Sequence, residues 1–194
     1  MKAIIFIALT IFPITSYAAG TSNGSDKFAD LMKTTKEVVD PMPEKLKAVL
    51  LTELTTNGAI KAIEVCSVKA PAMAKAASEK TGWKIKRVSL KNRNPNGKAD
   101  EWEATAIKGF EQELAANTNA TMEKGEIVTI NNQQYFRYAK GLKTSKECML
   151  CHGSNVTITT ELQEKLKAIY PNDLATGYDV NQVRGILSVT RPVQ

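Results

Sequence analysis

The stretch "EIVTINNQQYFRYAKGLKTSKECMLCHG", Glu126 to Gly153, carries both the fold and the chemistry of this 194-residue chain. Two runs rich in β-branched and aromatic residues, "EIVTI" (126–130) and "QYFRYAKGL" (134–142), flank "NNQ". That pattern predicts a β-hairpin, because asparagine tolerates the left-handed backbone a tight turn needs. Directly after it come Cys148, Cys151 and His152, two of the three cysteines and the only histidine of the sequence. A Cys-x-x-Cys-His run is the signature of c-type haem attachment. Two thiols at that spacing can reach the two vinyl groups on one porphyrin edge, and the adjacent imidazole then serves as an axial iron ligand. A redox disulfide between Cys148 and Cys151 competes, but it is expected beside a βαβ pattern that the sequence lacks. A Cys3His zinc site with Cys66 has the right ligand count, yet neighbouring Cys151 and His152 point in different directions along any regular element.

Upstream of the hairpin the period is helical. Apolar residues at Phe28, Leu31, Met32 and Val39 predict a helix that "DPMP" (40–43) breaks. A second helix is expected over Glu44–Thr55, with Leu46, Val49, Leu50 and Leu54 on one face. After "TNG", a third is expected over Ala59–Lys80, kinked at Pro71 and ended by Gly82. Its stripe Ile63, Cys66, Ala70, Met73, Ala77 puts Cys66 on the buried face. "WKIKRVSLK" (83–91) alternates as a strand with Trp83, Ile85, Arg87 and Ser89 on one side, followed by the loop "NRNPNG". "ADEWEATAIKGFEQELAAN" (99–117) reads as a helix with Trp102, Ala106, Phe110 and Leu114 on one face. Downstream of the cysteines, a helix at 160–169 stops at Pro171, and "VRGILSVTRPV" (183–193) is a last strand. Helices first, then strands with a hairpin, predict α+β with an antiparallel sheet in a single domain.

The opening "MKAIIFIALTIFPITSYAAG" has one charge at Lys2, an apolar run from Ala3 to Thr15 and small residues at Ser16 and Ala18. It reads as a signal peptide, residues 1–18, removed after Ala18, since a bilayer span needs about 20 apolar residues and this run is shorter and holds Pro13. Residues 19–194 are then the mature domain, exported to the periplasm and without membrane insertion. The net charge of +6 is spread diffusely, which points away from nucleic acid.

With His152 used on one face of the iron, the other face falls to Met, Cys, Lys, an exogenous ligand or none. Met73 lies along the stripe of Cys66, and Met149 sits inside the attachment loop as packing. Arg87, Lys91, Arg93, Arg137 and Lys140 are candidates to pair with haem propionates, because a guanidinium offers a bidentate fork to a carboxylate. Trp102, Phe110, Tyr135, Phe136 and Tyr138 are candidates for either pocket wall or core.

Three blocks, "NGAIKAIEVCSVKAPAMAKAASEKTGWKIKRVSLKNRNPNGKADEWE" (57–103), "YFRYAKGLKTSKECMLCHG" (135–153) and "RGILSVT" (184–190), resemble the Tll0287-like haem family over nearly the whole mature chain. The resemblance implies a PAS-like sheet carrying one haem c, covalently attached through Cys148 and Cys151, in a stand-alone exported protein or the sensor part of a signalling protein. It also implies that Cys66 is the second axial ligand, on the face opposite His152. The sequence closes soon after its last strand, which reads as a stand-alone protein without an output domain. The expected function is a periplasmic mono-haem cytochrome c acting in electron transfer with a redox partner protein. The alternative is a haem-based sensor of redox state or of NO or CO. Enzymatic activity is not expected, since no second histidine exists to act as acid or base.

Overall fold

Alternation along one hairpin organises the molecule, as seen in a computed structural model that describes residues 24–193. β2 (Glu123–Ile130) and β3 (Gln133–Lys143) pair antiparallel with Ile130 opposite Gln133. Asn131 and Asn132 close the turn with φ of 51° and 61°. Positive φ at both central residues is the twist that matches right-handed strands, which explains the asparagines. β1 (Lys84–Val88) and β4 (Val183–Pro192) complete a four-stranded antiparallel sheet in the order β1-β4-β3-β2. β4 lies inside the sheet and is covered on both faces, so Ile186, Leu187, Ser188 and Val189 are all buried.

Three helical segments cover one face: α1 (Gly24–Val39), α2 (Pro41–Glu64) and α3 (Ala70–Thr81). Leu31, Val39 and Ala74 pack there on Ile85, Phe136, Tyr138, Leu187 and Val189. α4 (Glu101–Ala116) covers the other face, with Ala106, Ile107 and Phe110 against Val88, Ala139 and Ile186. Its start is fixed by Asp100 and Glu103, whose side chains reciprocally cap each other's backbone N–H. Glu103 is fully buried and accepts hydrogen bonds from Lys86 at 2.9 Å and Ser188 at 2.7 Å, pinning α4 to the sheet. α5 (Met149–His152) and α6 (Thr160–Ile169) follow the hairpin, and Leu162 and Leu166 of α6 pack on Ile63 of α2.

The α+β class, the antiparallel sheet and the helix at 160–169 agree with the sequence reading. The expected break after "TNG" is a single non-helical residue, Gly58, with φ 77° and ψ 176°. Gly82 ends α3 as expected. Two details differ. The strand expected over 83–91 is hydrogen-bonded only over 84–88, because the chain turns away into the Pro95–Gly97 loop. The helix expected over Ala59–Lys80 is interrupted by a π-helical turn, Val65–Lys69, in which the Ala70 N–H reaches Val65 O. Proline has no N–H to give, so Pro71 leaves the preceding turn without a regular bond, and the turn widens. The expected signal peptide and its cleavage site lie outside the described residues. Among the described residues, no helix is long and apolar enough to cross a membrane.

α1 is clipped to the hairpin by Glu123, which pairs with Lys36 at 2.5 Å and Lys140 at 3.0 Å. Burial works to raise the Glu123 carboxyl, and the hydrogen bonds from Lys36 and Lys140 more than offset it, holding it below its ordinary value of 4.5. A lowered folded-state pKa contributes stability above the ordinary carboxylate range that is lost as pH falls through it. Glu123→Gln is therefore expected to cost about 1–2 kcal/mol at neutral pH, discounted for the partial exposure of Lys36. The difference between variant and parent should shrink steadily in urea midpoints measured from neutral pH down to about 3.

Candidate functional site: an apolar cavity beneath a Cys-x-x-Cys-His turn

Among the described residues, the apolar stripe of α2 has no protein partner that seals it. Leu46, Leu50 and Leu54 are at most partly buried and line a cavity of about 420 Å³ with Ile63, Leu142 and Leu166. That volume lies within the range of sites for small organic cofactors. The Cys-x-x-Cys-His turn forms one wall: Cys148, Cys151 and His152 all line the cavity and are all half-buried. A second cavity of about 280 Å³ shares Cys66, Arg87, Arg93, His152 and Arg184 with the first.

His152 is held in one tautomer. Its Nδ1 lies 2.7 Å from the carbonyl of Ala175, and a carbonyl only accepts, so Nδ1 carries the proton and Nε2 keeps a free lone pair. Imidazoles that ligate metals are oriented in this way by a carbonyl behind the ring. Burial, then the charges of Arg184 and Arg93, hold the His152 pKa well below its ordinary value of 6.5, so the ring is neutral at neutral pH. The Tyr178 ring stands edge-on to it at 6.2 Å, and the Tyr178 N–H donates to His152 O at 2.9 Å. Burial pushes the Cys151 thiol up to about 11.

Arg93 is the strut behind this wall. Its guanidinium donates to Asp173 Oδ2 at 2.8 Å, Cys151 O at 2.5 Å and Ala175 O at 3.2 Å, joining three segments at a buried point. The side chain lines both cavities, but its donors are directed to the protein. Arg137 stands elsewhere. Along β3, Phe136, Tyr138, Lys140 and Leu142 share the helical or cavity side, which sends Arg137 to the α4 side. There it pairs with Asp100 at 2.7 Å and Glu103 at 3.5 Å and lies over the Trp102 ring. Lys140 lines the cavity while paired with Asp40 and Glu123, and Lys91 donates to Thr176 O and sits over Tyr178. Arg87 is exposed and lines both cavities.

Cys66 corrects the sequence expectation. It is exposed rather than buried, although it does line both cavities with His152. Within the π-turn Val65 takes the buried position and Cys66 faces the cavities, while the later members of the stripe, Ala70, Met73 and Ala77, stay buried or packed against the core. Met73 also lines the larger cavity. Of the candidate aromatic residues, Phe110, Phe136 and Tyr138 are core, and neither Trp102 nor Tyr135 reaches a cavity. All three cysteines are free thiols, and among the described residues no group of three or more His, Cys, Asp and Glu side chains stands close enough to hold a metal ion.

The comparisons with known proteins place this geometry. A family model described as Tll0287-like matches residues 21–192. The chain belongs to the Tll0287-like family. Among solved structures it is similar to the crystal structure of the cyanobacterial heme-protein Tll0287, with a TM-score of 0.61 and 22% identity, covering 84% of this chain and 95% of that one. No curated protein matches. At this identity the likeness speaks for the fold.

Sequence reasoning missed Arg184, Tyr170 and the Asp173–Ala175 loop. Arg184 lay in plain view inside "RGILSVT", but an arginine in a strand pattern carries no signal of which way it turns. Ala175 acts through a backbone carbonyl, which any residue would supply. If Arg93 is a strut, Arg93→Ala should leave Asp173 buried without its partner and cost about 3–5 kcal/mol, read from the denaturation midpoint.

Proposed function

We propose that this protein is a periplasmic mono-haem c-type cytochrome that acts in electron transfer, with the haem in the α2-lined cavity. The observation that carries the proposal is the convergence of Cys148, Cys151 and an imidazole with its Nε2 lone pair free on one apolar cavity. The residues present fit the group: the thiols have thioether spacing, the cavity wall from α2 is apolar, and the buried Arg184 Nε finds no hydrogen-bond partner. When bound, haem supplies an iron that takes up and releases one electron.

The chain's own residues do the rest. Cys148 and Cys151 would tether the group, and the neutral His152, oriented by Ala175 O, would offer Nε2 to its iron. Cys66, which lines the same cavity, is the proposed second ligand, and the name of the structurally similar heme-protein supports a haem in this fold. Leu46, Leu50 and Leu54 exclude water from one side of the cavity. Export by a signal peptide fits covalent haem, because thioether bonds would take up Cys148 and Cys151 in a compartment where free thiols tend to oxidise.

A sensor of redox state or of a small gas such as NO or CO is the second reading, and one observation favours it. Cys66 sits in a π-turn and is exposed, and π-turns inside helices concentrate at functional sites where local geometry has to change.

Two measurements test these assignments. Protein produced with a cytochrome c maturation system should show, by mass spectrometry, the mass of the chain from Ala19 plus one haem. An apoprotein mass would overturn the proposal. Cys66→Ala should keep that added mass, lose low-spin thiolate features in the ferric EPR spectrum and raise the midpoint potential, because an anionic sulfur ligand favours the ferric state. A variant with the parent's spectrum and potential would turn attention to Met73.

A further inference from the structure

The cavity wall holds more positive charge than the described residues neutralise. The arginine ion pairs found among them belong to Arg93, with Asp173, and to Arg137, with Asp100 and Glu103. Arg87 and Arg184 line both cavities and pair with no carboxylate among the described residues. Arg184 is held in place rather than left loose. Its Nη1 donates to Ser89 Oγ at 2.9 Å and Lys91 O at 3.3 Å, and its guanidinium lies over the Tyr178 ring at 5.4 Å. Its Nε is buried and has no hydrogen-bond partner among the described residues, a state shared by the Nε of Arg137 and of Arg191, but of the three only Arg184 lines the two cavities. A buried donor left unpaired is destabilising, more so when charged, so an oriented guanidinium with a free donor calls for an acceptor. Both arginines also act on His152, whose pKa they help to lower, so they stand on its side of the cavity.

We propose that Arg184 and Arg87 form a clasp for carboxylate groups in the cavity, and that the carboxylates are those of the haem. The second half rests on the haem reading above. A guanidinium recognises a carboxylate through paired N–H donors in one plane, and it stays charged even when largely enclosed. Arg93 takes no part in the clasp, because Asp173 and two carbonyls occupy its donors. A free small carboxylate would satisfy the same chemistry, so the experiment separates the two sources.

The haem-loaded full chain is compared with Arg184→Gln, Arg184→Lys, Arg87→Gln and a control, Arg191→Gln, which lies far along the same strand over Trp83. Midpoint potentials are read by spectroelectrochemistry, and a melting curve checks the fold of each variant. Removing a nearby positive charge stabilises the ferric state, so both Gln variants of the clasp should shift to lower potential. Arg184→Lys should retain most of the parent's value, and Arg191→Gln all of it. Equal shifts in Arg184→Lys and Arg184→Gln, or none in either, would overturn the charge role of Arg184, and Arg87→Gln tests the clasp even if Arg184 variants fail to fold. Acetate is then titrated into the parent. Silence with acetate, together with the Gln shifts, assigns the clasp to the haem carboxylates. A saturable shift that Arg184→Gln abolishes keeps the clasp but assigns it to a free carboxylate. Should the purified parent carry no haem, the haem reading fails by itself. In that case a rise in melting temperature with acetate, lost in Arg184→Gln, still supports the clasp, and no rise overturns it.

Discussion

Everything at the site hangs on the guanidinium of Arg93. It bonds at once to the carboxylate of Asp173 and to the carbonyls of Cys151 and Ala175. The loop after β1, the Cys-x-x-Cys-His turn and the segment after α6 share no helix or strand, and this planar group ties all three at one buried point, alongside backbone bonds from Leu174 N–H to Asn92 O, Gly177 N–H to Gly153 O and Tyr178 N–H to His152 O. Ala175 in turn fixes the His152 ring, so the direction in which Nε2 points is set at second hand by an arginine 59 residues away in sequence. An ordinary ion pair would not do this. The pair is buried, charge-assisted and tied to two carbonyls, and those conditions distinguish a costly, geometry-defining interaction from a surface contact of little worth.

The sheet contributes a second constraint through its period of two. One face packs on α1 and α3, and the other on α4, so each basic side chain of a strand is assigned by parity. Arg87 follows Ile85 to the cavity side, and Arg137 goes with Ala139 to α4. On that far side Arg137 joins Asp100, Glu103 and Lys86 in a charge network that anchors a helix. Two arginines of equal chemical promise thus have unrelated jobs, one beside the cavity and one in the architecture.

This separates what was legible in the sequence from what was not. The hairpin, the helix at 160–169, the break at Gly58 and the Cys-x-x-Cys-His turn were legible because each depends on local chemistry: asparagine in a tight turn, proline after a helix, glycine at positive φ, thiol spacing. The alternation of β1 even gave the side of Arg87 correctly. Arg137 was not legible as a helix anchor, since that required knowing that Asp100, 37 residues upstream, would close on it across the sheet. Cys66 was misread for a different reason. The stripe holds on either side, at Ile63, Ala70, Met73 and Ala77, but inside the π-turn Val65 is buried and Cys66 turns to the cavities, a local departure that a 3.6-residue pattern does not contain. The half-buried leucines of α2 show the converse error: an apolar stripe announces a partner but not whether that partner is protein.

The electrostatics of the cavity set two influences against each other in the proposed centre. Arg87, Arg93 and Arg184 place positive charge on the side of His152, and their field adds to burial in keeping that imidazole neutral. The same field disfavours any further positive charge in the cavity and so favours the reduced state of a metal there. A thiolate from Cys66 acts in the opposite sense, and it would be most effective where water is scarce. Cys66 and Arg87 are both exposed, whereas Arg184 is half-buried and Arg93 buried. Under the proposed reading the outcome would turn on how closely Cys66 meets the iron, and Cys66 stands in the π-turn that the helical pattern did not contain.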